Sequence, residues 1–167
     1  MAGWHDFYVT AGAASATLVG LLFVGLSLHI RVVVAHPDVR SLARVTLVDF
    51  FSVLMIALLL LAPESNARVT AAWLLAIAVI SLGLSLRPGI EGFRSRRERK
   101  LGLRILVARF GLSAVGYFGI AVAGLFLTRG QEALSLSLLL AVVILMLVVA
   151  VRNTWDLLVT VADQPRG

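Results

Sequence analysis

One acidic residue lies inside an apolar stretch of this sequence, and it is the first candidate for chemistry. Asp49 stands among valines, leucines and phenylalanines in RVTLVDFFSVLMIALLLLAP, residues 44–63. If the stretch crosses a bilayer, the carboxylate must face protein or water rather than lipid, and such charges mark ion pairs or ion and proton pathways. Asp49 is therefore a candidate site residue.

A second charge lies inside another apolar stretch, RILVARFGLSAVGYFGIAVAG, residues 104–124. Arg109 follows Arg104 by five residues, as Asp49 follows Arg44. If both segments are helices that start at the same membrane boundary, each charge lies about 7.5 Å beyond it at about 1.5 Å per residue. Equal depth and opposite sign predict an Asp49–Arg109 ion pair.

Polar side chains accompany both charges at helical spacing. Ser52 follows Asp49 by three residues, and Ser113 and Tyr117 follow Arg109 by four and eight. Residues three and four apart share one face of a helix, so each charge begins a polar stripe. Two interpretations remain open: an ion pair that holds the helices together, or a polar pathway through them.

The helix that carries Asp49 is apolar enough to insert despite the charge. Twelve Val, Leu, Ile or Phe residues lie between residues 45 and 62. At roughly 0.3–0.6 kcal/mol each they contribute about 5 kcal/mol, against about 2.5–3.5 kcal/mol for a central Asp. The second apolar segment is therefore predicted to span the membrane.

Small residues recur at helical spacing in two of the apolar segments. They are Gly12, Ala16 and Gly20 in the first segment and Gly116, Gly119 and Ala123 in the fourth. Such patterns let two helix backbones approach closely. We therefore expect the first and fourth segments to pack centrally and the leucine-rich second and fifth segments to face lipid. The same faces predict a homo-oligomer.

The composition of the whole chain indicates an integral membrane protein with an all-α fold. Of 167 residues 60% are hydrophobic and 14% charged, and the mean hydropathy is +0.99. A chain this apolar cannot cover its side chains in a core of its own size. Residues 1–167 are predicted to form one domain of five transmembrane helices, at 7–30, 45–62, 69–86, 105–128 and 133–151.

Short connections and basic residues predict how the five helices are arranged. The connections 63–68 and 129–132 are so short that their flanking helices must be antiparallel neighbours. With the N-terminus outside and the C-terminus in the cytoplasm, twelve basic residues fall on the inner side and two, Arg68 and Arg129, on the outer side. This asymmetry is the positive-inside rule.

A basic cytoplasmic loop is predicted at residues 87–104. Its charges include Arg94, Arg96, Arg97, Arg99 and Lys100. Membrane topology and general attraction to the anionic inner leaflet are the favoured explanation, and binding to an acidic partner or a specific anionic lipid is the alternative. Because the positive-inside rule explains the net charge of +6, the predicted partner is the lipid bilayer rather than nucleic acid. Fourteen of the fifteen basic residues are arginine. That bias favours a GC-rich bacterial genome, and the predicted location is the bacterial cytoplasmic membrane.

Nothing in the sequence predicts an enzyme. There is no cysteine, and the three histidines, His5, His29 and His36, fall on opposite sides of the predicted membrane or in an interfacial loop. No hydrolase, metalloprotease, phosphate-loop or dinucleotide motif is present. We expect no catalytic residue, no metal site and no cofactor.

The segments WHDFYVTAGAASATLVGLLFVGLSLHI and LARVTLVDFFSVLMIALLLLAP carry a resemblance. They are similar to a group of small uncharacterised bacterial integral membrane proteins with an aromatic-led, Ala/Gly-rich first helix. The resemblance covers about the first 65 residues and transfers no functional residue. Some such proteins are labelled modulators of a membrane protease of the FtsH type, which implies a membrane protein partner.

Two functions follow from these observations. The first is a small oligomeric channel or transport-like protein with the Asp49/Arg109 region as its polar site. The second is a non-enzymatic scaffold or regulator that docks a larger membrane partner. A water-filled axis would favour the first, and a dry bundle with an exposed apolar groove would favour the second.

Overall fold

The computed structural model describes residues 2–63, 66–95 and 100–162, with side chains described except at 2–3, 32, 38, 87–95, 100–110 and 160–162. This part of the chain is helical and contains no strand. The helices are α1 (Ala2–Leu28), α2 (Ile30–Ala35), α3 (Pro37–Leu61), α4 (Ala67–Ser95), α5 (Lys100–Thr128) and α6 (Glu132–Ala162). The all-α prediction is confirmed for the described residues.

Five of these helices are long and apolar enough to cross a membrane, as predicted. The candidate spans are Trp4–Leu28, Val39–Leu61, Ala67–Leu86, Gly111–Thr128 and Glu132–Val159. The remaining helix, α2, has six residues and links α1 to α3. Helix α3 begins earlier than predicted because Pro37 occupies its first turn, where the missing N–H costs nothing.

Helices α3, α4, α5 and α6 form a four-helix bundle in which each packs on its neighbours in chain order and α6 closes back on α3. Contacting pairs such as Gly119–Val142 and Gly116–Met146 show that α5 and α6 are antiparallel. Helix α1 packs outside this bundle, mainly on α3. The bundle thus places α3 and α5 diagonally opposite each other.

The prediction that the first and fourth segments pack centrally and that the second and fifth face lipid was wrong for the first, the second and the fifth. Buried residues make up 44% of the most apolar stretch of α3 and 39% of that of α6, but 33% of that of α5 and only 22% of that of α1. The leucine-rich α3 contacts α1, α4 and α6 and is the most enclosed helix. Lipid tails are as apolar as leucine, so leucine content does not separate lipid-facing helices from central ones.

The bundle has two distinguishable ends. We call the end with the connections 62–66 and 129–131 the turn end. Its second connection turns at Gly130, whose φ of +75° a side chain would disfavour. We call the opposite end, where α3 begins and α4 ends, the basic end, because the exposed arginines Arg31, Arg40 and Arg44 lie towards it. Both short connections join antiparallel neighbours, as predicted.

The predicted loop at 87–104 is largely helical in its described part. Helix α4 continues through Arg87-Pro88-Gly89 to Ser95, and α5 starts at Lys100. The predicted break at residues 87–89 was therefore wrong. Inside a helix, proline costs about 3 kcal/mol and glycine about 1 kcal/mol relative to alanine, and the other residues of this 29-residue helix offset that cost.

Small residues bring helices together at three of the predicted positions. A Cβ placed on Gly12 would lie 3.0 Å from the Cβ of Ala57 in α3. On Gly119 it would lie 2.5 Å from a methyl carbon of Val142 in α6. Gly116 similarly packs on Met146, and Ala123 is buried. Ala16 and Gly20 are instead exposed on α1, away from the bundle.

Candidate functional site

Asp49 occupies the centre of the bundle. It lies twelve residues after Pro37, the first residue of α3, and its side chain is 0% exposed. Its neighbours Phe50 and Val53 are fully buried as well. A carboxyl group in such a place must have hydrogen-bond partners, because desolvation without them costs several kcal/mol.

Two hydroxyl groups of α5 supply those partners across the diagonal of the bundle. The Ser113 hydroxyl donates to Oδ2 of Asp49 at 2.8 Å. The Tyr117 hydroxyl donates to Oδ1 at 2.6 Å. Ser113 and Tyr117 are one helical turn apart, so one face of α5 presents both donors. Among the described side chains, each carboxyl oxygen thus accepts one hydrogen bond from the opposite helix.

Helix α4 extends this cluster by one more hydroxyl. The Ser85 Oγ lies 3.0 Å from the Tyr117 oxygen, and both groups are buried. A phenol has a single hydrogen, and that of Tyr117 points to Asp49, so Ser85 must be the donor. The result is a directed chain, Ser85 to Tyr117 to Asp49, which Ser113 joins from the other side. We call these four residues the Asp49 network.

A second polar contact lies one turn towards the turn end. The Ser52 and Ser81 oxygens are 2.7 Å apart between α3 and α4. Ser52 donates to the Val48 carbonyl at 2.7 Å, so Ser81 donates to Ser52. Ser52, predicted as part of the polar stripe, therefore bonds to α4. The described hydrogen bonds of Asp49 do not include it.

The side chain of Arg109 lies outside the described residues, so its ion pair with Asp49 stays a prediction. The register of α3 against α5 shows that Asp49 and Arg109 do not lie at equal depth, contrary to the prediction. Asp49 contacts α5 at residues 113 and 117, whose midpoint is six residues beyond 109. Six residues of helix span about 9 Å. Asp49 and Arg109 each lie five residues after an arginine, Arg44 and Arg104. Those two arginines are at different levels along the bundle, so Asp49 and Arg109 are also at different depths.

The predicted basic residues Arg94, Arg96, Arg97, Arg99 and Lys100 also lie outside the described residues or side chains. Helix α4 reaches Ser95 and α5 begins at Lys100, so the backbone places Arg94 and Lys100 at the basic end. The described site is built from α3, α4 and α5 alone.

Apolar side chains fill the bundle between the Asp49 network and the turn end. Fully buried members of this layer are Val53, Ile56, Leu74, Ile120 and Leu139, contributed by α3, α4, α5 and α6. They belong to one contiguous cluster that also includes Tyr8 and Ala11 of α1. We call this the apolar layer. It separates Asp49 from the turn end.

Two buried polar atoms have no hydrogen-bond partner among the described residues. They are the Tyr8 hydroxyl, in the apolar layer, and Nδ2 of Asn153, in α6. Tyr8 is 2% exposed and Asn153 is 1% exposed. Buried polar groups are nearly always paired, so each of these is an unusual feature.

An apolar groove of about 800 Å³ opens on the outer surface of the bundle. Helix α3 forms its floor, and α1 and α4 form its walls, which include Phe23, Trp73 and Ile80. Polar atoms are nearly absent from it apart from the Ser52–Ser81 pair at its base. In a bilayer such a surface takes lipid tails or another membrane helix.

The sequence carried an overlooked signal for two members of the site. Ser81 and Ser85 stand four residues apart in the segment SLGLSL of α4. This is the same helical spacing that identified Ser113 and Tyr117. No formal charge accompanies them, and serines in membrane helices often bond to their own backbone, so they did not stand out.

The arrangement can bind and move protons but is poorly suited to hold a metal. The described residues contain no group of three or more His, Asp or Glu side chains near one another. Both Asp49 oxygens already accept hydrogen bonds. Comparison with known proteins finds no family model, no curated protein and no solved structure that matches the chain.

Proposed function

We propose that this protein is a transport-like integral membrane protein in which Asp49 is a proton-binding site. One observation carries the proposal. A buried carboxyl group ends a chain of hydroxyl groups that crosses three helices. Intramembrane acids of this kind are costly and characterise proton relays and ion pathways.

The chemistry of the site favours a proton over a metal cation. A hard cation needs about six oxygen ligands with free lone pairs. At Asp49 the two donor hydroxyls instead aim hydrogens at the carboxyl oxygens. A proton needs no such shell. Its arrival on Oδ1 makes Asp49 the donor, so that Tyr117 then donates to Ser85 and the chain reverses its direction.

A closed pathway favours transport by rearrangement rather than through an open pore. The apolar layer lies between Asp49 and the turn end. The network is enclosed by helices of a single chain, so a pore between subunits is not needed to complete it. An oligomer, formed through the exposed Ala16 and Gly20 of α1, would then serve assembly rather than conduction.

We further propose that the basic end faces the cytoplasm of a bacterial cell and that the turn end faces outwards. The positive-inside rule supports this orientation, with twelve basic residues on one side and two on the other. Asp49 would then exchange protons with the cytoplasmic side first, since the exposed Arg44 lies only five residues before it, about 7.5 Å along α3.

Proton flux into liposomes tests the proposal. Purified protein is reconstituted around a pH-sensitive dye, and a potassium gradient with valinomycin supplies the driving potential. We expect acidification above that of empty liposomes and its loss in Asp49→Asn. Ser135→Ala is the matched control, because this buried hydroxyl bonds to the Ala123 carbonyl away from the network. Flux absent from the native protein, or equal in Asp49→Asn, would disprove proton transport.

A second candidate function, a scaffold or regulator of a larger membrane protein, is supported by the apolar groove. A membrane helix of a partner fits a surface walled by α1 and α4. The resemblance to proteins labelled modulators of an FtsH-type protease points in the same direction. A photo-crosslinker at Ile80, which lines the groove, should capture one discrete protein in native membranes, whereas Ile144 on the exposed side of α6 should not.

A further inference from the structure

Asn153 presents its amide to the interior of the bundle. On α6 it follows Met146 by seven residues and Ala150 by three, and it precedes Leu157 by four, so all four share one face. Met146 packs on Gly116 of α5, and Ala150 clusters with Phe50 of α3. The face of Asn153 therefore looks towards α3, and Leu157 on the same face clusters with Leu22 of α1.

The helix register places Asn153 on the basic-end side of Asp49. Asp49 is level with residue 115 of α5, between its partners Ser113 and Tyr117. Because Gly116 faces Met146 and Gly119 faces Val142, residue 115 is level with about residue 147 of α6. Asn153 is six residues farther on, about 9 Å nearer the basic end.

Between these two levels the described interior holds one buried hydroxyl among the apolar side chains of a second buried cluster, which includes Leu42 and Ala150. Buried Thr46 lies one turn before Asp49 on α3, and its hydroxyl donates to the Leu42 carbonyl at 2.9 Å. Its oxygen keeps lone pairs for another donor. Beyond Asp49, towards the turn end, the interior is the apolar layer. On the basic-end side of Asp49 the buried atom without a described partner is Nδ2 of Asn153, and on the other side it is the hydroxyl of Tyr8.

We propose that water occupies a pocket beside Asn153, on the side of α6 that faces α3, and connects Asp49 to the basic end. Water suits this amide whichever way its oxygen and nitrogen are placed, because water both donates and accepts. An amide that is nearly fully buried, with no partner for its nitrogen among the described residues, is the kind of group that buried water satisfies. Two or three hydrogen-bonded waters, at about 2.8 Å each, would bridge the separation of about 9 Å.

This inference rests on the proposed function for its purpose, since the pocket would be the route by which Asp49 exchanges a proton. Its existence can be tested separately. The chain has no cysteine, so a single introduced cysteine reports on its own surroundings without background. Asn153→Cys is compared with Leu139→Cys, a fully buried position on the same helix within the apolar layer.

The probe is a small hydrophilic methanethiosulfonate added to vesicles with the basic end outwards. We expect at least a tenfold faster reaction at position 153 than at position 139, in variants that keep the native melting temperature. Equal, slow reaction at both positions would overturn the water pocket. Labelling at 153 without proton flux would keep the pocket and end the transport proposal. Proton flux in the native protein together with an unreactive cysteine at position 153 would overturn the water pocket and keep the transport proposal.

Radiolytic hydroxyl-radical footprinting of the unmodified protein answers the same question if Asn153→Cys does not fold. Radicals form from water at the site, and the buried Met146 lies on the same helix face as Asn153, at about the level of Asp49. Oxidation of Met146, although its side chain is buried, supports the pocket. Protection of Met146 at doses that oxidise exposed residues overturns it.

Discussion

At the scale of single residues, Asp49 is tolerated because hydroxyl groups take the place of water around it. Ser113 and Tyr117 each give it one short hydrogen bond, and Ser85 supports Tyr117 from behind. Hydrogen bonds to a charged group contribute about 1.5–3 kcal/mol each, more than those between neutral groups. The network is thus expected to contribute to stability as well as to any proton chemistry.

Replacing Tyr117 tests the network, and Tyr8 provides a matched control. Tyr117→Phe leaves one Asp49 oxygen and Ser85 without a partner, so we expect a loss of about 1–3 kcal/mol in the free energy of unfolding. Tyr8→Phe removes a buried hydroxyl that has no described partner, so stability should stay constant or rise. Unfolding in detergent, followed by circular dichroism, measures both. Equal losses would mean that the hydroxyl of Tyr117 contributes nothing specific.

The predicted ion pair is tested by a double-mutant cycle of Asp49→Asn and Arg109→Gln. Removing one member of a buried pair costs about 3–5 kcal/mol, because the other charge is left without a partner. If the residues pair, the double mutant loses less stability than the sum of the two single mutants. Thermal unfolding of the four proteins in detergent gives the coupling energy. Additive losses would show that the hydroxyl groups alone hold Asp49.

At the scale of helices, small residues decide where backbones can approach. Gly119 and Gly116 let α5 lie against α6, while Gly12 lets α1 lie against α3. Gly20 has the same residue type and spacing, but a Cβ added there would meet no atom within 4 Å. The same small-residue pattern therefore lets helices pack at some positions, such as Gly119, and leaves an exposed helix surface at others, such as Gly20.

Substitution by alanine should separate these two kinds of glycine. Gly119→Ala places its methyl group against Val142, a stiff β-branched residue, so we expect a loss of about 1–3 kcal/mol from overpacking. Gly20→Ala meets no atom and improves helix propensity by up to about 1 kcal/mol, so stability should hold or rise. Melting temperatures in one detergent compare them. A loss at position 20 as large as at 119 would contradict the described packing.

At the scale of the whole molecule, the described residues form a four-helix bundle with one extra long helix packed on it. Asp49 lies at its centre, and buried apolar clusters lie towards both ends. The exposed Arg44 lies only five residues before Asp49 on α3, so the basic end is close to the carboxyl group. Which end faces the cytoplasm therefore decides from which side a proton would reach it.

Cysteine labelling in intact cells tests the proposed orientation. Gln131 at the turn end and Arg31 at the basic end are both exposed. Gln131→Cys should react with a membrane-impermeant maleimide from outside, and Arg31→Cys should react only after permeabilisation. The unaltered chain is the control, because it has no cysteine. The opposite pattern would reverse the proposed orientation and the side of proton access.

The sequence by itself determined the number of spanning helices, the antiparallel pairs at the short connections and the need for Asp49 to face protein. These properties depend on hydropathy, chain length and the cost of a charge in lipid, all of which are local. Only the tertiary structure decided that α3 is central and α1 peripheral, that Ser85 joins Tyr117, and that Ser52 bonds to Ser81. Lipid and protein interior are equally apolar, so composition does not rank helices by burial. Partners on different helices depend on register, and a one-turn shift along a helix changes every contact.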